Sequence, residues 1–136
     1  MIKQRSGVII FLTGSPARGH VEGSTGVGAG CGAIEILMEN LALELGPQGV
    51  RAVCLRTAAN WDSRTMRDIS DGLAAQMNVP KEQMQDQFAG NLANQNFLKQ
   101  PVGTSDTAKL AALLASDRVR MVTGTTVNST AGAGLD

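Results

Sequence analysis

Two short, unbroken β-branched runs constrain this chain more than anything else in it. GVIIFL (residues 7–12) and VRAVCL (residues 50–55) both read as strands buried on both faces, as parallel sheets require. Between them lies one long helical pattern. Ile34, Leu37, Met38, Leu41 and Leu45 recur at i, i+3, i+4, i+7 and i+11, which sets one apolar stripe. Gly46-Pro47 ends the pattern, because Gly accepts the left-handed cap and Pro cannot continue a helix. Strand, helix and strand in this order give a parallel crossover unit.

The remainder extends that unit. Residues 61–100 read as mainly helical, with Met66, Ile69, Leu73 and Met77 on one face and Met84, Phe88 and Leu92 spaced by four. A further helix opens near Thr104-Ser105-Asp106, whose oxygens suit a helix N-terminus, and its stripe is Leu110, Leu113 and Leu114. A last strand is expected around Thr125–Asn128. The fold class is therefore α/β: a partial Rossmann-like parallel sheet of about three strands with flanking helices, in a single domain spanning residues 1–136.

Several function classes fall away on composition. The chain has 12 basic and 12 acidic residues and no basic stripe, so neither nucleic acid nor an anionic membrane is expected as a partner. No stretch reads as the ~20 apolar residues of a membrane span. The run Val8–Leu12 is too short for the core of a signal peptide, and a cytoplasmic location is expected. Two cysteines make no disulfide framework, and a single histidine, His20, makes neither a zinc site nor a Ser-His-Asp triad. No metal site is expected. Cys54 belongs to the core. Cys31, placed near the start of the long helix, reads as a small packing residue rather than a reactive thiol, since no basic residue stands near it in sequence.

Three segments carry a resemblance: SGVIIFLTGSPARG, AIEILMENLALELGPQGVRAVCL and LAALLASDRVRMVTGTTVNSTAG, with LALELGPQGVR the most specific. Together they resemble the C-terminal half of the short-chain dehydrogenase/reductase (SDR) family over residues 7–132. The resemblance implies an NAD(P)-dependent oxidoreductase whose serine, tyrosine and lysine act together, the tyrosine as general acid/base. Counting back from LALEL, those positions fall on Gly14, Val27 and Cys31, and the chain contains no tyrosine at all. A slip of one residue brings Thr13 or Ser15 to the serine position without supplying the acid/base. The family's Pro-Gly after the second strand aligns with Thr57-Ala58. Its pyrophosphate-binding turn would precede residue 1, and MIKQRSGVII reads like the end of the helix before this strand. The echo GSTGVGAG, with Gly26 and Gly28, precedes the wrong helix for a nucleotide fingerprint and is expected to be a flexible loop reaching to about Gly30.

No catalytic or cofactor-binding residue is therefore expected. The expectation is a divergent or truncated SDR-type protein without turnover of its own, the alternative being a non-catalytic binding or assembly module on the same scaffold. Candidate ligand-facing residues are Thr13, Gly14, Ser15, Arg56 and Thr57, because ligands of open α/β sheets bind at the carboxyl ends of the strands. Trp61, Met66, Met77, Met84, Phe88 and Phe97 lie in the segment that forms the substrate lid in the family, and their spacing favours core packing over pocket lining. Ile36 and Leu43 form a second apolar stripe on the 31–46 helix. That stripe, and the unpaired edge of the first strand, lead to the expectation of a homo-oligomer.

Overall fold

A computed structural model describes residues 1–19 and 22–134. Three parallel strands, β1 (Gly7–Gly14), β2 (Val50–Thr57) and β3 (Thr126–Ser129), form one sheet in the order β1-β2-β3. Helix α1 (Thr25–Leu45) connects β1 to β2, and α2 (Arg64–Met77), α3 (Lys81–Asn94) and α4 (Thr104–Ala115) connect β2 to β3. The register runs from Gly7 opposite Val50 to Gly14 opposite Thr57, and from Cys54 opposite Thr126 to Thr57 opposite Ser129. Each strand thus sits within a residue or two of its expected place. β1 and β2 reach two residues further than the apolar runs, so Thr13, Gly14, Arg56 and Thr57 belong to the strands rather than to the turns after them.

The two faces of the sheet are covered by different helices. Ala52 and Cys54 of β2 pack with Met38 and Ala42 of α1, joined by Phe11 and Leu41. On the other face Val53 and Leu55 pack with Leu114 of α4, with Val8, Ile10, Leu110, Ala111 and Val127 around them. This alternation of period two is why β2 reads as continuously apolar: both of its faces are buried. β1 is different. It lies at the sheet edge, most of it is half-buried, and Leu12 is 58% exposed. Arg51 closes the lower end of the sheet, its guanidinium donating to Leu114 O at 2.8 Å and Val122 O at 3.0 Å, so a C-terminal carbonyl of α4 that lacks a partner within the helix is satisfied.

The long helix departs from expectation in three ways. It begins at Thr25, not after Gly30, so GSTGVGAG is largely helical. Three glycines lower the local propensity, but Gly28 is required sterically: a Cβ there would stand 2.9 Å from Pro16 O. Cys31 consequently lies well inside the helix, away from its N-terminal dipole. Second, the buried face is Glu35, Met38 and Ala42, while Leu37 of the expected stripe is 50% exposed. Third, the segment Thr25–Gln48 is long and apolar enough, by length and composition, to cross a membrane. Counting only unbroken apolar residues overlooked it, because Ala, Ile, Leu, Val, Met and Cys scattered between polar residues and glycines keep the average high. Core helices meet the same test, and this one packs against the sheet through Met38 and Ala42.

In α2 the buried positions are Ser70 and Ala74, while Ile69 and Met77 are exposed. Leu113 of α4 is likewise 41% exposed, and Ala111 takes its place in the core. α4 is capped from a distance: Asp62 accepts from Thr104 N at 2.7 Å and from its hydroxyl at 2.8 Å, and Asp106 accepts from Gly103 N at 3.1 Å. The Thr104 contacts hold the Asp62 carboxyl below its ordinary pKa.

Candidate functional site

A cavity of about 590 Å³ opens where β1 and β2 end. Gly14, Ser15 and Thr57 form its floor, and Met66 and Ile69 of α2 with Leu92 of α3 form its apolar roof. Ser24, Gln95, Asn96 and Val102 come in from loops and helix ends. All lining side chains among the described residues are uncharged. Thr57 is committed to the framework, with its Oγ1 3.0 Å from Ala58 O and Asn60 Oδ1 and 3.2 Å from Thr107 Oγ1. Asn96, 2% exposed, is committed too: its Nδ2 donates to Gln100 O at 2.7 Å and fixes the turn after α3.

Of the five candidate ligand-facing residues, Gly14, Ser15 and Thr57 line this cavity. Thr13 and Arg56 do not, because alternation along the strands turns them to the α1 side. There Arg56 meets Glu35 in a two-pronged pair, Nε to Oε1 at 2.8 Å and Nη2 to Oε2 at 2.8 Å. The two side chains are 1% and 2% exposed, so Arg56 is neither a surface charge nor an open seat for an anion. Thr13 Oγ1 donates to Glu35 Oε1 at 3.2 Å and lies 3.3 Å from Cys54 Sγ. Arg18, half-exposed, reaches Glu35 Oε2 at 3.5 Å. Burial pushes the Glu35 carboxyl up, but the Arg56 hydrogen bonds and charge, with Thr13 and Arg18, outweigh it and hold the carboxyl below its ordinary value. Burial and the nearby Glu35 charge raise the Cys54 thiol.

The fold has counterparts among known proteins. A family model described as enoyl-(acyl carrier protein) reductase matches residues 1–133. The chain belongs to the short-chain dehydrogenase/reductase family. Similar solved structures include a Thermoplasma acidophilum aldohexose dehydrogenase (17% identity, TM-score 0.85, covering 98% of this chain and 50% of that one). A sorbitol-6-phosphate 2-dehydrogenase from Erwinia amylovora is 22% identical, with TM-score 0.80 and coverage of 100% and 52%. An actinorhodin polyketide ketoreductase with NADPH is 17% identical, with TM-score 0.81 and coverage of 100% and 50%. At these identities the likeness is one of fold. The chain spans about half the length of these structures. No curated protein matches it.

The SDR positions can now be placed. Gly14 ends β1, Val27 is 60% exposed on the first turns of α1, and Cys31 lies one turn further along. A Cβ on Gly14 would stand 3.9 Å from Cys31 Sγ, so the end of β1 and the second turn of α1 lie side by side. Ala58, from the pair aligned with Pro-Gly, lines the cavity beside Thr57.

Of the six aromatic and methionine residues considered as pocket lining, Met66 alone lines this cavity. Met84 is buried, while Met77 and Phe97 are 63% and 71% exposed. His20 lies outside the described residues. Sequence reasoning missed Glu35 altogether. The signal was available: one acid inside AIEILM and one base inside VCLRT are opposite charges placed in apolar elements that pack together.

Proposed function

We propose that this chain is the C-terminal half of an SDR-type Rossmann domain, without dehydrogenase or reductase turnover of its own, and that it acts as a binding module. The reading is supported by counting back from LALEL, which puts Gly14, Val27 and Cys31 where the family needs a hydroxyl, a phenol and an ammonium. A general acid/base must come within hydrogen-bond reach of the reacting oxygen, and of these three side chains only the Cys31 thiol carries an exchangeable proton, with neither the phenol nor the ammonium that mechanism requires. The family's nicotinamide cofactor does not fit this half either. The ribose-holding lysine is replaced by Cys31, and no described cation lines the cavity. NADPH and NADP accompany two of the similar structures, and for this chain NAD(P) remains an implication of the family alone. Assembly through α1 and a cytoplasmic location belong to the same proposal. Ile36 and Leu43 support the first, being 54% and 78% exposed on the side of α1 away from the sheet.

Calorimetric titration of NADH and NADPH into the purified chain, followed by a carbonyl panel with both cofactors, tests the reading. Neither cofactor is expected to bind at micromolar concentration, and the panel is expected to stay at background. Micromolar cofactor binding, or turnover that survives repurification and is lost in Ser15→Ala, would overturn it.

A further inference from the structure

We infer that the amino-terminal end of the sheet holds a second, smaller site, and that it takes a compact oxyanion of the phosphate type against Arg51 and Arg120. The site lies at the opposite end of the strands from the larger cavity. It goes beyond the binding-module reading, which neither requires nor excludes it.

The space comes first. A cavity of about 290 Å³ opens where β1 and β2 begin. Ser6 and Gly7 line it from the start of β1, and Arg51 lines it from the start of β2. Ala115, Asp117 and Arg120 close it from the end of α4 and the turn that follows. Its volume falls just below the range of roughly 300–1,000 Å³ usual for small-molecule sites, so a ligand here has few atoms.

The charges decide what kind of ligand. Arg51 is half-buried, and its guanidinium has five N–H donors. Three hydrogen bonds fix it, to Leu114 O at 2.8 Å, Val122 O at 3.0 Å and Ser116 O at 3.3 Å. All three acceptors are uncharged carbonyls. No carboxylate pairs with Arg51 among the described residues, so its charge is held in place without being neutralised. Arg120 is exposed at the cavity and makes neither an ion pair nor a side-chain hydrogen bond among the described residues. Arg5 and Arg118 stand in the adjoining turns, Arg5 Nη2 donating to Pro47 O at 3.2 Å, and they too have no carboxylate partner among those residues. Cations gathered round a concave wall raise the local concentration of a counter-ion.

One group opposes them. Asp117 lines the same cavity, and its carboxylate has no ion-pair partner among the described residues. Two guanidinium groups on the walls against one carboxylate still leave the site positive, so a dianion gains more than a monoanion. Arg51 is already ordered by its three carbonyls, and binding therefore costs it little side-chain freedom. The Ser6 hydroxyl, which makes no hydrogen bond among the described residues, adds a neutral donor at the mouth.

The test is a titration of the ¹⁵N-labelled chain with sodium phosphate, sodium acetate and sodium chloride, each series at one constant low ionic strength, since salt screens exposed charges. Phosphate is expected to give saturating shifts at the amides of Gly7, Arg51, Asp117 and Arg120, acetate weaker ones, and chloride none that saturate. Arg120→Gln is expected to weaken phosphate about threefold or more, and Asp117→Asn to strengthen it about twofold to fivefold, the worth of an exposed charge pair. Both side chains are exposed, and a dispersed spectrum shows that each variant is folded. Opposite signs from these two substitutions are what a charge-selective site requires and what a structural role would not produce. Shifts that never saturate, that chloride reproduces or that centre elsewhere overturn the inference. So do acetate binding as tightly as phosphate, phosphate affinity untouched by Arg120→Gln, or Asp117→Asn leaving it equal or weaker. No cofactor or carbonyl substrate is present, so turnover in the carbonyl panel would end the binding-module reading and leave this result standing.

Discussion

Removing Glu35 alone is expected to be among the most damaging single changes in this chain. The perturbation is Glu35→Leu, which keeps bulk and deletes both carboxylate oxygens. It takes from the Arg56 guanidinium, 1% exposed, the carboxylate it pairs with, and from the Thr13 hydroxyl its acceptor. The Coulomb term between charge centres ~4 Å apart is ~4 kcal/mol at an effective dielectric of 20. Breaking a buried pair from one side costs ~3–5 kcal/mol, since the surviving charge stays buried. Set against a domain stability of ~5–15 kcal/mol, that loss takes much of the total. The double change Glu35→Leu with Arg56→Met is expected to recover most of it, ending within ~1 kcal/mol of the parent or above it, because desolvation of both ions is then relieved. Urea denaturation followed by Trp61 fluorescence and far-ultraviolet circular dichroism measures each corner of the cycle. As an internal contrast, Asp68→Ala, which breaks the Arg64–Asp68 pair on α2 (95% and 71% exposed), is expected to leave the midpoint unchanged. A Glu35→Leu loss below ~1 kcal/mol, with a double variant no better than the single, would refute the buried-pair reasoning.

Four further outcomes follow from the same structure. The Glu35 carboxyl is held below its unfolded value of about 4.3. Its contribution is thus complete above that pH and is lost as pH falls through the lower folded value, so the parent chain should lose stability faster than the double variant in acid titrations below about pH 4.3. Ile36 and Leu43 are 54% and 78% exposed; light scattering should find a dimer or larger assembly, and Ile36→Glu with Leu43→Glu should give a monomer, whereas a folded monomer from the parent chain would defeat the assembly reading. Gly49 has φ +78° and a Cβ there would collide with Arg5 O, so Gly49→Ala should lower stability by at least ~1 kcal/mol in the same urea assay. Met38 is fully buried between α1 and β2, and Met38→Ala should cost ~2–5 kcal/mol.

The order of elements was legible because each signal was local. β-branched runs, a stripe of period 3.6 and Gly46-Pro47 need no knowledge of distant residues. The start of α1 was not legible, since Gly26, Gly28 and Gly30 weaken helix propensity while the contact that demands a glycine at position 28 comes from Pro16 across the turn. The buried face of α1 was misjudged by apolarity alone. The sheet covers Glu35, Met38 and Ala42 and leaves Leu37 half-exposed, because a helix face is chosen by what it meets rather than by its most apolar line. The site divides in the same way. Gly14, Ser15 and Thr57 follow from the rule that ligands sit at strand carboxyl ends. Ser24, Gln95, Asn96 and Val102 come from three separate loops or helix ends that converge only in three dimensions.

Glu35 and Arg56 also explain why a charge is tolerated where apolar packing would be more stabilising. Along α1 the contact with the sheet is small and smooth at Ala42 and Met38, opposite Ala52 and Cys54, and such surfaces slide against one another at low cost. At the upper end the helix contributes a carboxylate that is satisfied only when Arg56 on β2 and Thr13 on β1 are both within reach, at 2.8 Å and 3.2 Å. A shift of α1 by one residue would pull the buried Glu35 carboxylate off Arg56 and Thr13, so the pair sets the helix position relative to both strands at the level where the cavity begins. That position brings Ser24 to the rim beside Ser15. On this account Glu35→Leu with Arg56→Met should keep or raise stability and yet loosen the rim. The expected signature is broadened amide resonances at residues 15–19 and 24–28; a double variant with a rim as sharp as the parent's would show that packing alone seats the helix.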